Sequence, residues 1–311
     1  MNINFDKLQG SDKIISLIEN KFTEDMKIES IPPLVWIERD EKIVHLGARG
    51  EVTIFFGGPK SGKSVTLEMI AGLFLKESGI LGPFKRAEDA KNILYIDMEQ
   101  GVLEWAVAMN RVMKYSGVTE IPSNFLSLCF TAESVGDRMF YLSQLLEAID
   151  KVDVVILDGV ADLVESESDS TLVKNSSEEL KSLAVKHDCL IIGILHTDKQ
   201  RKGPRDHIGS KYEKIASTLV RVEKMEYGNL FSLKPYMSRH SGDWESINFI
   251  LNSENKMVDF RDLEESKDFK GGNFVNRNKS ANFVSEEIKE DISLISHKNE
   301  FKNIEDLKSN L

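Results

Sequence analysis

The chain has 311 residues, enough for one substantial α/β core with some length to spare. Its 41% hydrophobic and 29% charged residues are ordinary for a soluble globular protein. The formal net charge of −11 excludes a uniformly basic nucleic-acid coat, so any nucleic-acid contact must come from a local basic patch.

No apolar run approaches the ~20 residues that span a bilayer. The opening MNINFDKLQG lacks the basic-then-apolar pattern of a secretion signal. Cys129 and Cys189 lie far apart in apolar runs, as expected of buried, reduced thiols. A cytoplasmic protein without a membrane anchor is expected.

In chain order, residues 1–30 read as an N-terminal helical extension. Ile14, Ile18 and Phe22 recur every four positions within an amphipathic stretch, 11–28. That stretch either packs on its own subunit or docks on a neighbour. Ile31-Pro32-Pro33 then breaks the chain. Residues 31–262 alternate strand and helix. The strand Val52–Phe56 leads into a glycine-rich turn and a helix with Leu67, Ile70, Ala71 and Phe74 on one face. Asn92–Asp97 is a strand, Leu103–Tyr115 a helix, Phe125–Phe130 a short strand and Arg138–Ile149 a helix. Val154–Leu157 and Leu190–Leu195 are continuously apolar, as central strands buried on both faces must be. Such alternation predicts a covered, mainly parallel sheet with right-handed crossovers. Beyond residue 215, Leu219–Val222, Leu230–Leu233, Ile247–Leu251 and Met257–Phe260 read as antiparallel strands added at the C-terminal end of the sheet. Their turns are Tyr227-Gly228-Asn229 and Ser241-Gly242-Asp243. Residues 263–311 are a polar linker and a weakly helical tail.

The segment Gly57-Gly58-Pro59-Lys60-Ser61-Gly62-Lys63-Ser64 matches G-x-x-x-x-G-K-[ST] in full, with a strand before it and a helix after. Glycines let successive N–H groups turn inward on a phosphate, and the following helix adds the positive end of its dipole. Lys63 is expected to reach the β- and γ-phosphates of ATP, and the Ser64 hydroxyl to ligate Mg²⁺. A second Mg²⁺ group should end a buried strand. Asp158, after Val154-Val155-Ile156-Leu157, fits that role, although an aspartate there also suits a plain turn. In Tyr95-Ile96-Asp97-Met98-Glu99, the two acids point the same way if the strand continues. Glu99, further out, is the candidate that orients or deprotonates the attacking water, with Asp97 helping to position it or the Mg²⁺ waters.

These residues carry a family resemblance. YIDMEQ is similar to the second strand of RecA-type ATPases, where the catalytic glutamate follows I-D-x. The lead-in IPPLVWIERDEKIVHLGARGEVTIFFGGPKSGKS resembles RepA-like ATPases of plasmids and mobile elements, hexameric relatives of the DnaB helicases. So does IIGILHTDKQRKGPRDHIGSKYEKIASTLVRVEK, and the likeness covers roughly Ile31 to Phe260. The resemblance implies an α/β, RecA-like P-loop core and an oligomer, a hexameric ring, that hydrolyses ATP with Mg²⁺. It implies Glu99 as catalytic base and His196 as the residue that senses the γ-phosphate.

The same resemblance makes Arg239 the finger entering a neighbour's site, although Met237 stands where the family's K-x-R has lysine. It places nucleic-acid loops after the third and fourth core strands. Of these, 199–214 is basic, with Lys199, Arg201, Lys202, Arg205, Lys211 and Lys214 suited to the phosphates of single-stranded DNA. The other, Val164–Asp169, is acidic and would repel DNA, and Tyr212 is the only aromatic residue nearby for stacking. The expected function is a DNA-associated replication or mobilisation motor with helicase activity. A regulatory or recombination-mediator ATPase that does not unwind DNA, and a P-loop enzyme without a nucleic-acid substrate, are the competing readings.

Overall fold

Runs that are apolar on every residue become the buried centre of a sheet, and the amphipathic segments between them become its covering helices. The computed structural model describes residues 30–39, 42–197, 206–225, 229–242, 244–252 and 257–260. All belong to the first of two units, residues 1–263; the second, 264–311, lies outside the described residues, as does the stretch 11–28.

The chain forms β1 (Val35–Arg39), β2 (Lys42–Gly47), β3 (Val52–Gly57), α1 (Lys63–Leu75), β4 (Ile80–Leu81), β5 (Phe84–Arg86) and β6 (Ile93–Asp97). Then come α2 (Val102–Ser116), β7 (Phe125–Cys129), α3 (Val135–Ala148), β8 (Val154–Asp158), a 3₁₀ turn (Val160–Leu163) and α4 (Ser170–Lys186). The last elements are β9 (Leu190–His196), α5 (Asp206–Ile215), β10 (Thr218–Lys224), β11 (Leu230–Ser238), β12 (Ile247–Leu251) and β13 (Val258–Asp259).

The main sheet has the order β13-β12-β11-β10-β3-β9-β8-β6-β7. From β10 to β7 every pairing is parallel, and from β10 to β13 every pairing is antiparallel. This is an α/β, RecA-like P-loop core with antiparallel strands at its C-terminal end. One expectation needs correction: Leu219–Val222 runs parallel to β3, with Leu219 opposite Ile54. The helix α5 before it acts as a crossover, which returns the chain to the same end of the sheet.

The period-2 alternation of a buried strand sorts its side chains into two cores. Phe55 joins Leu67, Ile70 and Phe74 of α1 and Val112 and Tyr115 of α2 on one face. Ile54 and Phe56 join Leu142 and Leu146 of α3, Leu180 of α4 and Tyr212 of α5 on the other. Tyr212 is fully buried and its hydroxyl donates to the Val160 carbonyl at 3.3 Å, so it cannot stack on a base. Cys189 is buried as expected, whereas Cys129, on the outermost parallel strand, is partly exposed. A small antiparallel sheet, order β2-β1-β5-β4, has no counterpart in the sequence reading, and neither has α4.

Candidate active site

Parallel strands bring their carboxyl ends to one edge, and the phosphate loop sits there between β3 and α1. The glycines are demanded by contact and by conformation. A Cβ on Gly57 would lie 2.2 Å from the Val222 carbonyl oxygen and 2.7 Å from Ser61 Oγ. Gly62 holds φ +96° against the ring of Phe231. Lys60, at φ 58°, takes the left-handed conformation without a glycine's freedom, so the loop carries some local strain.

Lys63 is buried at the first turn of α1. Its ammonium donates to the carbonyls of Gly57 (3.0 Å) and Gly58 (2.9 Å). Burial holds its pKa below the usual lysine value, opposed by the charges of Glu99 and Asp158. A desolvated ammonium gains most when an anion enters beside it.

Asp158 ends β8 and is completely buried. Its Oδ1 accepts from Ser64 Oγ at 3.3 Å, so the two expected Mg²⁺ groups do meet. Burial, with the nearby charges of Asp97 and Glu99, pushes its pKa up to about 8, against the pull of the Ser64 hydrogen bond. Asp97 is raised as well, chiefly by burial, and its Oδ2 is buried without a partner. Among the described residues, Asp97, Glu99 and Asp158 face Lys63 on this side of the loop, an arrangement that a divalent ion beside Ser64 and Asp158 would relieve. Among the described residues, no group of three or more His, Cys, Asp or Glu side chains could hold a metal alone. Mg²⁺ needs no such group, because it binds through one or two carboxylates plus phosphate oxygens and water. The residues fit that ion.

Asp97 and Glu99 do not stand side by side on a continuing strand. β6 ends at Asp97, whose Oδ1 turns back to accept from the backbone N–H of Glu99 (3.0 Å) and Gln100 (2.8 Å). Asp97 thus shapes the turn that presents Glu99. The Glu99 carboxylate lies 3.2 and 3.3 Å from His196 Nε2, and that hydrogen bond lowers its pKa although burial opposes it. His196, the last residue of β9, places its Nδ1 3.3 Å from the Lys63 ammonium. An ammonium can only donate, so Nδ1 must accept and Nε2–H must donate to Glu99. The contacts fix the tautomer. Lys63, His196 and Glu99 form one hydrogen-bonded chain, joining the phosphate-binding cation to the candidate base.

On the other flank of the loop, toward β10, lies a cavity of about 570 Å³ lined by Pro59, Ser61, Thr197, Glu223, Met225 and Lys234. Glu223 is paired with Arg221 and Lys234, each at 2.6 Å. The space suits the nucleoside half of a nucleotide whose γ-phosphate points to Glu99.

Arg239 is remote from this edge. Its guanidinium donates to the Lys214 carbonyl at 2.6 Å, and its N–H to the Ser217 carbonyl. Lys211 and Lys214 lie on α5, while Lys199, Arg201, Lys202 and Arg205 fall outside the described residues. The acidic segment behaves partly as a helix start: Asp169 accepts from the N–H groups of Thr171 and Leu172 and caps α4.

Four residues escaped the sequence reading. Gln100 Nε2 and the Tyr95 hydroxyl lie 3.3 and 3.5 Å from Asp158 Oδ2. Glu68 of α1 makes a bidentate pair with Arg111 of α2, at 2.5 and 2.6 Å. The polar Gln100 directly after Glu99 was a readable signal; Tyr95, inside an apolar strand, was not.

Among the described residues, no helix is long and apolar enough to cross a membrane. Among solved structures, the chain is similar to the flagellar accessory protein FlaH from Methanocaldococcus jannaschii. That match has 17% identity and a TM-score of 0.48, covering 69% of this chain and 90% of that one. No curated protein matches it. The family model described as an AAA domain matches residues 23–202, more than half of the chain and the whole stretch from the phosphate loop through Glu99 and Asp158 to His196. The chain belongs to that AAA-domain family of nucleotide-binding P-loop ATPases.

Proposed function

We propose that the protein is an oligomeric, DNA-associated ATP motor of the RepA-like kind, acting in replication or mobilisation with helicase activity. One observation carries the reading. His196 touches both Lys63 and Glu99, and β9 runs from it directly into the basic segment that begins at Lys199. A γ-phosphate arriving between Lys63 and Glu99 must rearrange the hydrogen bonds of His196. Lys199 follows His196 by three residues in the sequence, so this rearrangement is the proposed link between nucleotide state and the basic segment.

In the catalytic cycle, Lys63 neutralises the β- and γ-phosphates. Ser64 and Asp158 would hold Mg²⁺, which when bound neutralises charge developing on the phosphate oxygens. Glu99, held ionised through His196, orients and deprotonates water. Arg239 would serve a neighbouring copy. β11 places Ser238 opposite Thr218, and Thr218 lies opposite Thr53, four residues before Gly57. Arg239 lies one residue beyond Ser238, five residues in register from Gly57, so its backbone is about 16 Å along the strands from its own phosphate loop, by the rise of roughly 3.3 Å per residue.

A second reading, a regulatory ATPase that does not unwind DNA, draws on the acidic segment Val164–Asp169 and on the burial of Tyr212. The ATPase rate with and without single-stranded DNA, at two salt concentrations, separates the two. Salt-sensitive stimulation and a ring-sized oligomer support the motor. A rate indifferent to DNA refutes it.

A further inference from the structure

The carboxylate assigned to Mg²⁺ has two oxygens with different neighbours. Asp158 Oδ1 faces Ser64 Oγ, the hydroxyl at the metal position, at 3.3 Å. Oδ2 faces the Gln100 amide at 3.3 Å and the Tyr95 hydroxyl at 3.5 Å. In the ionised form that can hold a cation, Asp158 only accepts, so Gln100 turns its NH₂ toward it. Gln100 has little freedom to do otherwise. Its N–H is bonded to Asp97 Oδ1 at 2.8 Å, and its carbonyl accepts from Thr131 Oγ1 and, at 3.5 Å, from Cys129 Sγ. The turn that presents Glu99 therefore also aims a donor at the back of Asp158.

We propose that Gln100 is a positioning residue for the metal: by occupying Oδ2 it keeps Asp158 turned so that Oδ1 faces the cation beside Ser64. This rests on the reading of the site as one for a Mg-nucleotide. Without the amide, Asp158 Oδ2 keeps, among the described residues, only the longer Tyr95 contact, and its carboxylate can rotate away from the ion. Outer groups that orient a metal carboxylate typically contribute 10–100-fold to metal affinity. The Gln100 amide is bonded to Asp158 and not to Lys63 or the phosphate loop, so nucleotide binding without metal is expected not to depend on it.

The test uses the full chain, a fluorescent ATP analogue and MgCl₂. Nucleotide affinity is measured in EDTA, and the Mg²⁺ concentration giving half of the metal-dependent gain is then found by titration. Gln100→Met keeps the length and removes the donor; Gln100→Leu removes the donor in a smaller side chain, and serves if the first variant fails to fold. In either variant the Mg²⁺ midpoint rises about tenfold, while affinity in EDTA changes less than twofold. Tyr95→Phe shifts the midpoint less, because its contact is longer. An unchanged midpoint overturns the proposal. So does an equal loss with and without metal, which would mark Gln100 as merely structural. If the unaltered protein shows no nucleotide binding with Mg²⁺, the nucleotide reading itself falls, a result distinct from either.

Discussion

Arg111→Met should destabilise the protein in a pH-dependent way, because it leaves a carboxylate buried. Glu68 is fully buried on the phosphate-loop helix, and its two oxygens are held by the Arg111 guanidinium at 2.5 and 2.6 Å. Burial already pushes its pKa above the ordinary 4.5, and Arg111 opposes that push. Once the guanidinium is gone, the carboxylate can stay charged and unpaired or take up a proton. Removing one partner of a buried pair typically costs 3–5 kcal/mol. Protonation limits the charge part of that cost. At about 1.36 kcal/mol per pH unit above 4.5, the ceiling is about 3.4 kcal/mol at pH 7 and about 0.7 kcal/mol at pH 5.

The sign follows from linkage. In the variant the native state holds the Glu68 proton more tightly than the unfolded chain does. Its contribution is therefore fully present below pH 4.5 and is lost as pH rises through the folded value. Urea unfolding at pH 5 and pH 7 should show the penalty relative to the unaltered protein growing by up to about 2.7 kcal/mol. Glu68→Leu combined with Arg111→Met should recover most of the loss, since an apolar pair of similar volume replaces buried ions at little cost. A penalty independent of pH, or a double variant no better than the single, would refute the argument that an unpaired charge is the cause.

Lys63→Ala should abolish turnover while thermal unfolding without nucleotide shifts little, because the side chain lost is a desolvated ammonium rather than core packing; near-normal hydrolysis would remove it from the site. Glu99→Gln should bind and retain Mg-ATP without hydrolysing it, and weak ATP binding in that variant would place the base elsewhere. Asp153 is buried, and although burial raises its pKa, the N–H groups of Asn92 and Lys91 and the Arg49 guanidinium pull it below the ordinary 3.8. Its stabilisation is therefore present above pH 3.8 and is lost as pH falls through the lower folded value, so Asp153→Asn should be less stable at neutral pH and less sensitive to acid; an unaltered acid limb in a denaturation series would count against this. Mixing Arg239→Ala with Lys63→Ala should restore part of the ATPase activity that each has lost, and mixed oligomers that remain inactive would exclude a role in trans.

The centre of the parallel sheet was legible because two of its middle strands are buried on both faces over continuously apolar runs. These runs are Val154–Leu157 and Leu190–Leu195. The phosphate loop was legible because close backbone contact restricts residue type, as Gly57 and Gly62 show. Helix α4 was hidden by its composition. Ser176 and Ser177 fill buried positions where periodicity looks for apolar side chains, and its clearest sign, the Asp169 cap, lay inside a segment read as a loop. The small sheet was hidden by topology: β1 pairs with both β2 and β5, and β4 and β5 have only two and three residues. Side-chain partnerships across the site, such as Gln100 with Asp158, join residues 58 positions apart and leave no local pattern.

The turn 97–101 ties two parts of the site together. Asp97 uses one oxygen to fix two consecutive N–H groups, which aims Glu99 at His196 and Gln100 at Asp158. On the proposed reading, one buried carboxylate thus sets both the residue for the water and the residue behind the metal ligand. Helix α2 starts at Val102, just past this turn, and its Arg111 is bonded to Glu68 on the phosphate-loop helix. The two helices therefore carry the phosphate loop and the turn as a tied pair. What the pair cannot supply is a cation on the far side of the γ-phosphate. The Arg239 backbone lies about 16 Å along the strands from its own phosphate loop by the strand rise, and its guanidinium is bonded to the Lys214 carbonyl. If the chemistry uses that guanidinium, a second copy must bring it, and hydrolysis then reports whether two subunits are correctly joined.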